Sequence, residues 1–494
     1  MEARMSASGK NARFSVAIAN GSPRSDTSLT LRFVRLMADS RAWPRAEFAC
    51  GRDGDKAIAE SVEAFLARVA EGAMPVWSYP VYCSGVPSQF MAFLDALAAH
   101  PRASILAGKP FAQVLSSKRF FDVTAMEYVR AVSADLGMID YGALSTDPAE
   151  FMEQRCRDDA VRFAERLEWA VGAGVRACAG ALAPYPPAGS GTPRASAGGL
   201  SVDDAFERVS SRFSGTGPSV LVLCDDRRCA DSVGTACFEF LSSLGDARPD
   251  ARVELLSLSE SSIRVGCAGC LSCVIGGECP INDGYAGVAA KCLDADAIVY
   301  AGRVRGRWFD RAWKRYDDRG FRFGHRASMR GKPVAWLVGG PFRASAYLPL
   351  VIESRAYLGG TPLAALLETD YLDAAELARR AKEGAASLAR HLAYPTGQGE
   401  AFWSVGGMRI FRDLVYEMRG FMREDHRFYK RHGLYDFPQA RRGSIVRGYI
   451  AGAAMSLSAV RKRILPRLAR DLADSYDRII ERDLRERASR GDRA

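Results

Sequence analysis

The strongest constraint in this sequence is an alternation of short β-type runs with helical stretches that occurs twice. Phe14 to Ala19 is an apolar run, Asn20-Gly21-Ser22-Pro23 is a turn signal, and Ser28 to Met37 follows with helical spacing. A second apolar–turn–helix unit spans Met74 to Leu97, and a strand at Phe111 to Ser116 precedes a helical stretch around Thr124 to Leu136. Strands alternating with helices imply a parallel sheet covered on both faces. The pattern then restarts. Strands are predicted at Ser219 to Cys224, Val253 to Leu258, Ala297 to Ala301 and Pro333 to Val338, with a weaker one at Leu363 to Glu368. A helix from Ala374 to Leu392 closes the second copy. Each copy carries a Gly-Lys-Pro leading into a strand, Gly108-Lys109-Pro110 and Gly331-Lys332-Pro333. This reads as an internal duplication; two unrelated α/β domains are the alternative.

A chain of 494 residues suits two or three domains. The expected boundaries are an α/β domain over 13–172, an Ala/Gly/Pro/Ser-rich linker over 173–217, a second α/β domain over 218–395 and a basic helical extension over 396–494. Of the net charge of +10, most lies after Pro395, where 21 Lys and Arg face 13 Asp and Glu. The stripe Val460, Ile464, Leu468, Leu472, Tyr476, Ile480 and Leu484 predicts an amphipathic helix there. It would pack on the body or on a partner subunit; a membrane surface is disfavoured. Basic residues are interleaved with acids, so nucleic-acid binding is disfavoured too. The most apolar helical candidate, Gly448 to Val460, is too short to span a bilayer, and the N-terminal residues show no apolar signal-peptide core. A cytoplasmic protein is the expectation.

Two loops point to a ligand. Gly21-Ser22-Pro23-Arg24-Ser25-Asp26-Thr27-Ser28-Leu29-Thr30 follows a strand and opens a helix, whose free amides favour a phosphate. Ser22, Thr27, Ser28 and Thr30 offer hydroxyls, and Arg24 a charged donor. With no G-x-x-x-x-G-K-[ST] and no G-x-G-x-x-G, a monophosphate such as that of FMN fits better than a triphosphate or dinucleotide. The second loop, Pro80-Val81-Tyr82-Cys83-Ser84-Gly85, lies where the next strand would end, at the sheet edge where open α/β folds bind ligands. The pair G-S-P-R-x(3)-S and P-V-Y-x(4)-P-x-Q-x(3)-F-x-D resembles the NADPH-dependent FMN reductase branch of the flavodoxin-like superfamily, over about Arg13 to Arg166. The resemblance implies two tandem flavodoxin-like, doubly wound parallel sheets plus a C-terminal helical extension. It further implies that Ser22, Arg24, Thr27 and Ser28 bind the FMN phosphate and that Pro80 and Val81 to Gly85 line the ring. A third loop, Ser116-Ser117-Lys118-Arg119-Phe120-Phe121, would complete the pocket, with Ser116, Ser117 and Phe121 as its contacts. Met91 and Ala96 stand where the family usually has Lys and Arg, a departure that bears on subunit contacts.

Four of the twelve cysteines crowd into thirteen residues: Cys267, Cys270, Cys273 and Cys279, the last followed by Pro280. The spacing suits a [4Fe-4S] cluster, with zinc, reduced thiols that hold nothing, or a redox disulfide as alternatives. Cys-x-Gly-Cys-x2-Cys-x5-Cys-x3-Asp resembles the iron–sulfur flavoproteins of the same superfamily, and Lys314 with Asp318-Arg319 resembles their K-x(3)-D-R helix. The second copy departs at its first loop, where Cys224-Asp225-Asp226-Arg227-Arg228 puts two carboxylates where a phosphate would sit. The resemblance therefore implies an FMN oxidoreductase, NAD(P)H-linked, with flavin in the first copy and cysteines in the second. It would serve a small-molecule donor and acceptor or a redox partner protein, as a monomer or a homo-oligomer. The alternative is a non-catalytic electron carrier. No residue suggests itself as a general acid.

Overall fold

A computed structural model describes residues 14–175, 199–323, 325–395 and 397–460, with 462–464, 474, 477–482, 485, 486 and 489 beyond them. The chain divides into two compact bodies, Met1–Phe428 and Tyr429–Ala494.

The first body is built on two parallel sheets. One contains β1 (Val16–Asn20), β2 (Arg45–Ala49), β3 (Met74–Pro80), β4 (Pro110–Ser116) and β5 (Ile139–Thr146), ordered β2-β1-β3-β4-β5. The other contains β6 (Ser219–Cys224), β7 (Arg252–Ser257), β8 (Ala297–Arg305), β10 (Val334–Gly339) and β11 (Leu363–Glu368), ordered β7-β6-β8-β10-β11, while β9 (Trp308–Phe309) folds back antiparallel on β8. The two orders are the same, and both are the flavodoxin-like 2-1-3-4-5. The fold is thus two tandem flavodoxin-like sheets with flanking helices. Helices α1 (Leu29–Ser40), α2 (Asp55–Ala70), α3 (Ser88–Ala99), α4 (Asp122–Asp135) and α5 (Gln154–Ala173) serve the first half. The second half carries α6 (Val202–Val209), α7 (Ser232–Ala247), α8 (Ser272–Gly276), α9 (Tyr285–Asp294), α10 (Arg311–Arg319), α11 (Tyr347–Gly359) and α12 (Ala374–Ala393). Helices α13 (Phe402–Glu417) and α14 (Arg423–Arg431) follow.

Alternation along the central strands sorts side chains to two faces. In β1, Val16 and Ile18 pack under α1 and α5, whereas Ala17 and Ala19 face α2 and α3. In β6, Val220 and Val222 pack with α7 and α12, whereas Leu221 and Leu223 face the other way. The two faces turned toward the other half share one continuous hydrophobic core. Helix α3 meets α10, and α4 meets α11. These are equivalent helices of the two copies, so the contact has the self-complementary character of a twofold dimer interface carried within one chain. Trp308 seals it: the ring is fully buried, edge-on to Tyr128 at 5.5 Å and stacked on Tyr347 at 5.8 Å. Arg307 adds a bidentate pair to Asp135 at 2.7 and 2.8 Å. The repeated Gly-Lys-Pro takes the same role in both copies, with Gly108 (φ 75°) and Gly331 (φ 81°) in left-handed backbone before β4 and β10.

Two features depart from the sequence expectation. Strands β2 and β5 lack the buried runs that mark the central strands, since both are sheet edges that stay largely half-exposed. The stretch 173–217, expected as linker, contains α6, opened by a Ser201–Asp204 capping box and packed on α7 through Val202, Ala205 and Val209; residues 176–198 lie outside the described residues. Of the predicted tail stripe, Leu468, Leu472, Tyr476 and Leu484 also lie outside them. The second body contains α15 (Arg442–Ser456). Among the described residues no helix is long and apolar enough to cross a membrane.

A shared core makes the two halves unfold together. Replacing Trp308 by Ala should cost about 3–5 kcal/mol and lower a single calorimetric transition for the flavodoxin-like halves. Two separate transitions would show that each half is stable alone.

Candidate functional site

The first loop is shaped by its own polar groups. The Asn20 side chain accepts from the Ser22 amide (3.2 Å) and donates to the Ser25 carbonyl (2.9 Å), which folds the turn back on β1. Ser28 caps α1, its hydroxyl accepting from the Leu31 amide at 3.3 Å. The first-turn amides of α1 have no acceptors within the helix. Thr30 and Ser116 share a hydroxyl–hydroxyl hydrogen bond that ties α1 to the end of β4. Between these groups lies a cavity of about 170 Å³, lined by Ser22, Arg24, Ser28, Leu29, Thr30, Pro80, Tyr82, Ser116 and Pro148. Among the described residues no carboxylate pairs with Arg24. Hydroxyls, helix amides and a guanidinium without a lining carboxylate fit a phosphate dianion. Thr27 does not line this cavity: its hydroxyl donates to the Arg24 carbonyl at 2.7 Å on the outer side of the turn.

The other walls come from the second half: Cys267, Gly269, Leu271 and Phe321 close the same cavity. A side chain at Gly269 would meet the Tyr82 hydroxyl at 2.4 Å and the Arg24 stem at 3.3 Å, and Gln89 donates to the Cys267 carbonyl at 3.4 Å. The cysteine loop is therefore a lid on the phosphate loop.

The second loop is a tight hairpin. Tyr82 and Gly85 exchange both backbone hydrogen bonds at 2.8 and 2.9 Å, and Cys83 and Ser84 between them take left-handed backbone (φ 46° and 67°), the pattern of a type I′ turn. Non-glycine residues rarely adopt it, and such strain persists only where surrounding contacts hold it. Helix α10 supplies them. Fully buried Lys314 pairs with fully buried Asp318 and donates to the Tyr82 carbonyl at 2.9 Å. Asp318 also accepts from the Ser88 amide at 2.6 Å. Because α3 starts after Pro87, which has no capping side chain, Asp318 acts as its cap from the other half. Burial pushes the Asp318 carboxyl up to about 6, against the pull of Lys314. Arg355 holds the Cys83 carbonyl (2.8 Å) and Asp317 (2.9 Å), and the Cys83 thiol donates to the Asp317 carbonyl at 2.9 Å. Burial raises that thiol to about 12. Arg319, the last residue of the K-x(3)-D-R pattern, clamps Asp283 through two 3.0 Å bonds and reaches the Val265 and Ile281 carbonyls at either end of the cysteine loop.

Beside this hairpin opens a second cavity of about 400 Å³. Val81, Cys83, Ser84, Ser117, Lys118 and Phe120 face it from the first half, and aromatic side chains from the second. Val81, Cys83, Ser84 and Ser117 thus sit where a ring would be expected, while Gly85 and Phe121 do not line it. Gly85 packs on the Trp308 ring, and Phe121 packs on Trp403 of α13 at 5.0 Å, so Phe120 faces the cavity instead.

The cluster expected at the four cysteines is not supported. Among the described residues no group of three or more His, Cys, Asp or Glu is arranged to hold a metal. The thiols differ in surroundings: Cys267 lines the cavity beside the first loop, Cys270 is exposed, Cys273 is buried on α8, and Cys279 is half-buried. Burial drives Cys267 up to about 12. Burial also acts on Cys270, but hydrogen bonds from Ser272 outweigh it and leave that thiol below its ordinary value.

The second half closes its own counterpart of the phosphate loop. Arg303, at the end of β8, pairs with Asp225 and Asp231 and donates to the Cys229 carbonyl at 3.0 Å. Asp231 also caps α7 through the Val233 and Gly234 amides, and Leu200 bridges to Asp231 across the same turn. A side chain on Gly234 would meet the Leu200 carbonyl at 1.9 Å, which leaves no room for an anion.

Residues 14–146 match the family model of NADPH-dependent FMN reductase. This stretch is an FMN reductase domain, and it holds all three loops described above. No curated protein matches the chain. Among solved structures, a Trp repressor binding protein from Bacillus subtilis is similar at 12% identity and a TM-score of 0.25, over 30% of this chain and 96% of that one. An NADH:FMN oxidoreductase (EMOB, apo form) is similar at 18% identity and a TM-score of 0.27, over 32% of this chain and 89% of that one.

The lid makes a direct prediction. Gly269→Ala, whose side chain would collide with Tyr82 and sit on left-handed backbone (φ 65°), should weaken FMN binding to the FMN reductase domain by about tenfold, ~1.4 kcal/mol. Cys270→Ser should leave FMN affinity and the visible spectrum unchanged in an anaerobic preparation; loss of a broad absorbance near the flavin bands would restore the cluster.

Proposed function

We propose that the chain is an FMN-dependent oxidoreductase carrying one flavin, held by the FMN reductase domain and enclosed by the second half. The observation that carries this reading is the phosphate cavity itself, whose donors come from α1 and its preceding loop and whose lid comes from Cys267 to Leu271. Ser22, Ser28, Arg24 and the first turn of α1 would hold the phosphate; Val81, Cys83, Ser84 and Ser117 would face the ring. When bound, FMN supplies hydride-transfer chemistry that no amino-acid side chain performs. This chain's residues position and enclose it. Lys314, Asp318 and Arg355 hold the strained hairpin in shape, and the burial of Cys83 keeps its thiol protonated. NAD(P)H is the donor suggested by the family name. A cavity of about 400 Å³ has the size of a small-molecule site, which favours a small-molecule acceptor. Of the four cysteines, Cys267 enters as a wall of the pocket.

Equilibrium titration of the apoprotein should saturate at one FMN per chain, and Arg24→Ala should weaken binding about tenfold. NADPH or NADH added anaerobically should bleach the bound flavin. Two FMN per chain would contradict the assignment of the second half, and no binding would contradict the reading as a whole.

A further inference from the structure

Two chains of aromatic contacts lead from the flavin loops to one imidazole. Tyr82 of the hairpin stacks with Phe321 at 6.3 Å, and Phe321 meets His325 edge-on at 5.7 Å. From the other side, Phe120 meets Phe411 of α13 at 5.5 Å, and Phe411 meets His325 at 5.0 Å. His325 is thus wedged between the loops that follow β3 and β4, and it lines the 400 Å³ cavity. Its Nδ1 lies 3.1 Å from Asp425, a carboxylate only 3% exposed whose other oxygen is ion-paired with Arg326 at 2.9 Å. An ionised carboxylate only accepts hydrogen bonds, so Nδ1 carries the proton of the neutral ring and Nε2 is the atom free to exchange one. This is the orienting role that a buried aspartate plays for a catalytic imidazole.

The other charged groups facing the cavity are paired with one another or with neighbours. Lys118 pairs with Asp147 at 2.9 Å, Asp317 with Arg355 at 2.9 Å, and Arg326 with Asp425. Burial holds the Cys83 thiol near 12 and pushes Tyr285 and Tyr300 well above the ordinary phenol range. Much of the remaining wall is apolar, with Trp313, Phe323 and Trp336 among aliphatic side chains such as Leu293, Ile352 and Leu358.

We propose that His325, oriented by Asp425, is the catalytic proton donor for two-electron reduction of a flat, largely apolar acceptor bound in this cavity. The inference rests on the flavin reading above. The acceptor needs a hydride, which bound reduced flavin would supply and be oxidised in supplying, and a proton, which Nε2 of the imidazolium gives. His325 is left neutral and regains its proton from water.

The test compares two acceptors on enzyme reduced with dithionite and followed by stopped flow. Dichlorophenolindophenol takes a hydride and a proton, two electrons and two protons in all; ferricyanide takes one electron and no proton. His325→Gln should lower the ratio of the first rate to the second by about a hundredfold or more. Asp425→Asn should lower it by less, and flavin content reports whether each variant is folded. The wild type should show a solvent deuterium isotope effect with the indophenol and none with ferricyanide. An unchanged ratio in His325→Gln, or equal isotope effects with both acceptors, overturns the proposal. A wild type that binds no flavin overturns the flavin reading instead.

Discussion

The buried pair of Lys314 and Asp318 is the interaction on which the site depends. Neither group is solvent-exposed, and burying two charges is costly unless their remaining hydrogen bonds are met. Here they are met across the boundary between halves, by the Tyr82 carbonyl and the Ser88 amide. One ion pair of the second half therefore fixes the strained hairpin of the first and caps its α3. Losing either partner leaves an unpaired buried charge, which costs about 3–5 kcal/mol. Arg319, on the same helix, holds the cysteine loop that covers the phosphate cavity. Helix α10 is thus a brace with one grip on each loop.

Duplication explains how such a brace can arise. Packing equivalent helices, α3 on α10 and α4 on α11, places each copy's ligand edge beside the other. In a dimer of identical chains both edges would be kept alike. Within one chain they can diverge. The first copy retains a loop of hydroxyls and one guanidinium; the second fills its loop with Arg303 between Asp225 and Asp231 and lays Leu200 across it. The cavity beside the hairpin is completed by neither copy alone, since α13 contributes Phe411 to its wall.

Much of this was legible in the sequence. The central strands announce themselves as apolar runs, and the turn after β1 carries its hydroxyls and arginine in plain order. Strands β2 and β5 were not legible, because edge strands need no buried run. Thr27, Gly85 and Phe121 looked like ligand contacts by spacing, yet a turn hydrogen bond, the Trp308 ring and Trp403 claim them. The cysteine spacing suggested a cluster, but spacing says nothing of where each thiol points. His325 and Asp425 lie a hundred residues apart, and no local pattern joins them. The K-x(3)-D-R pattern was visible by resemblance; that its lysine grips a carbonyl 232 residues away was not.

The central claim is that the second half forms part of the flavin site of the first. Hydrogen–deuterium exchange of the full chain, with and without saturating FMN, tests it most directly. The account predicts protection both in the loops after β1, β3 and β4 and in the second half, across 265–273 and 311–321. Protection confined to residues 14–146 would contradict it.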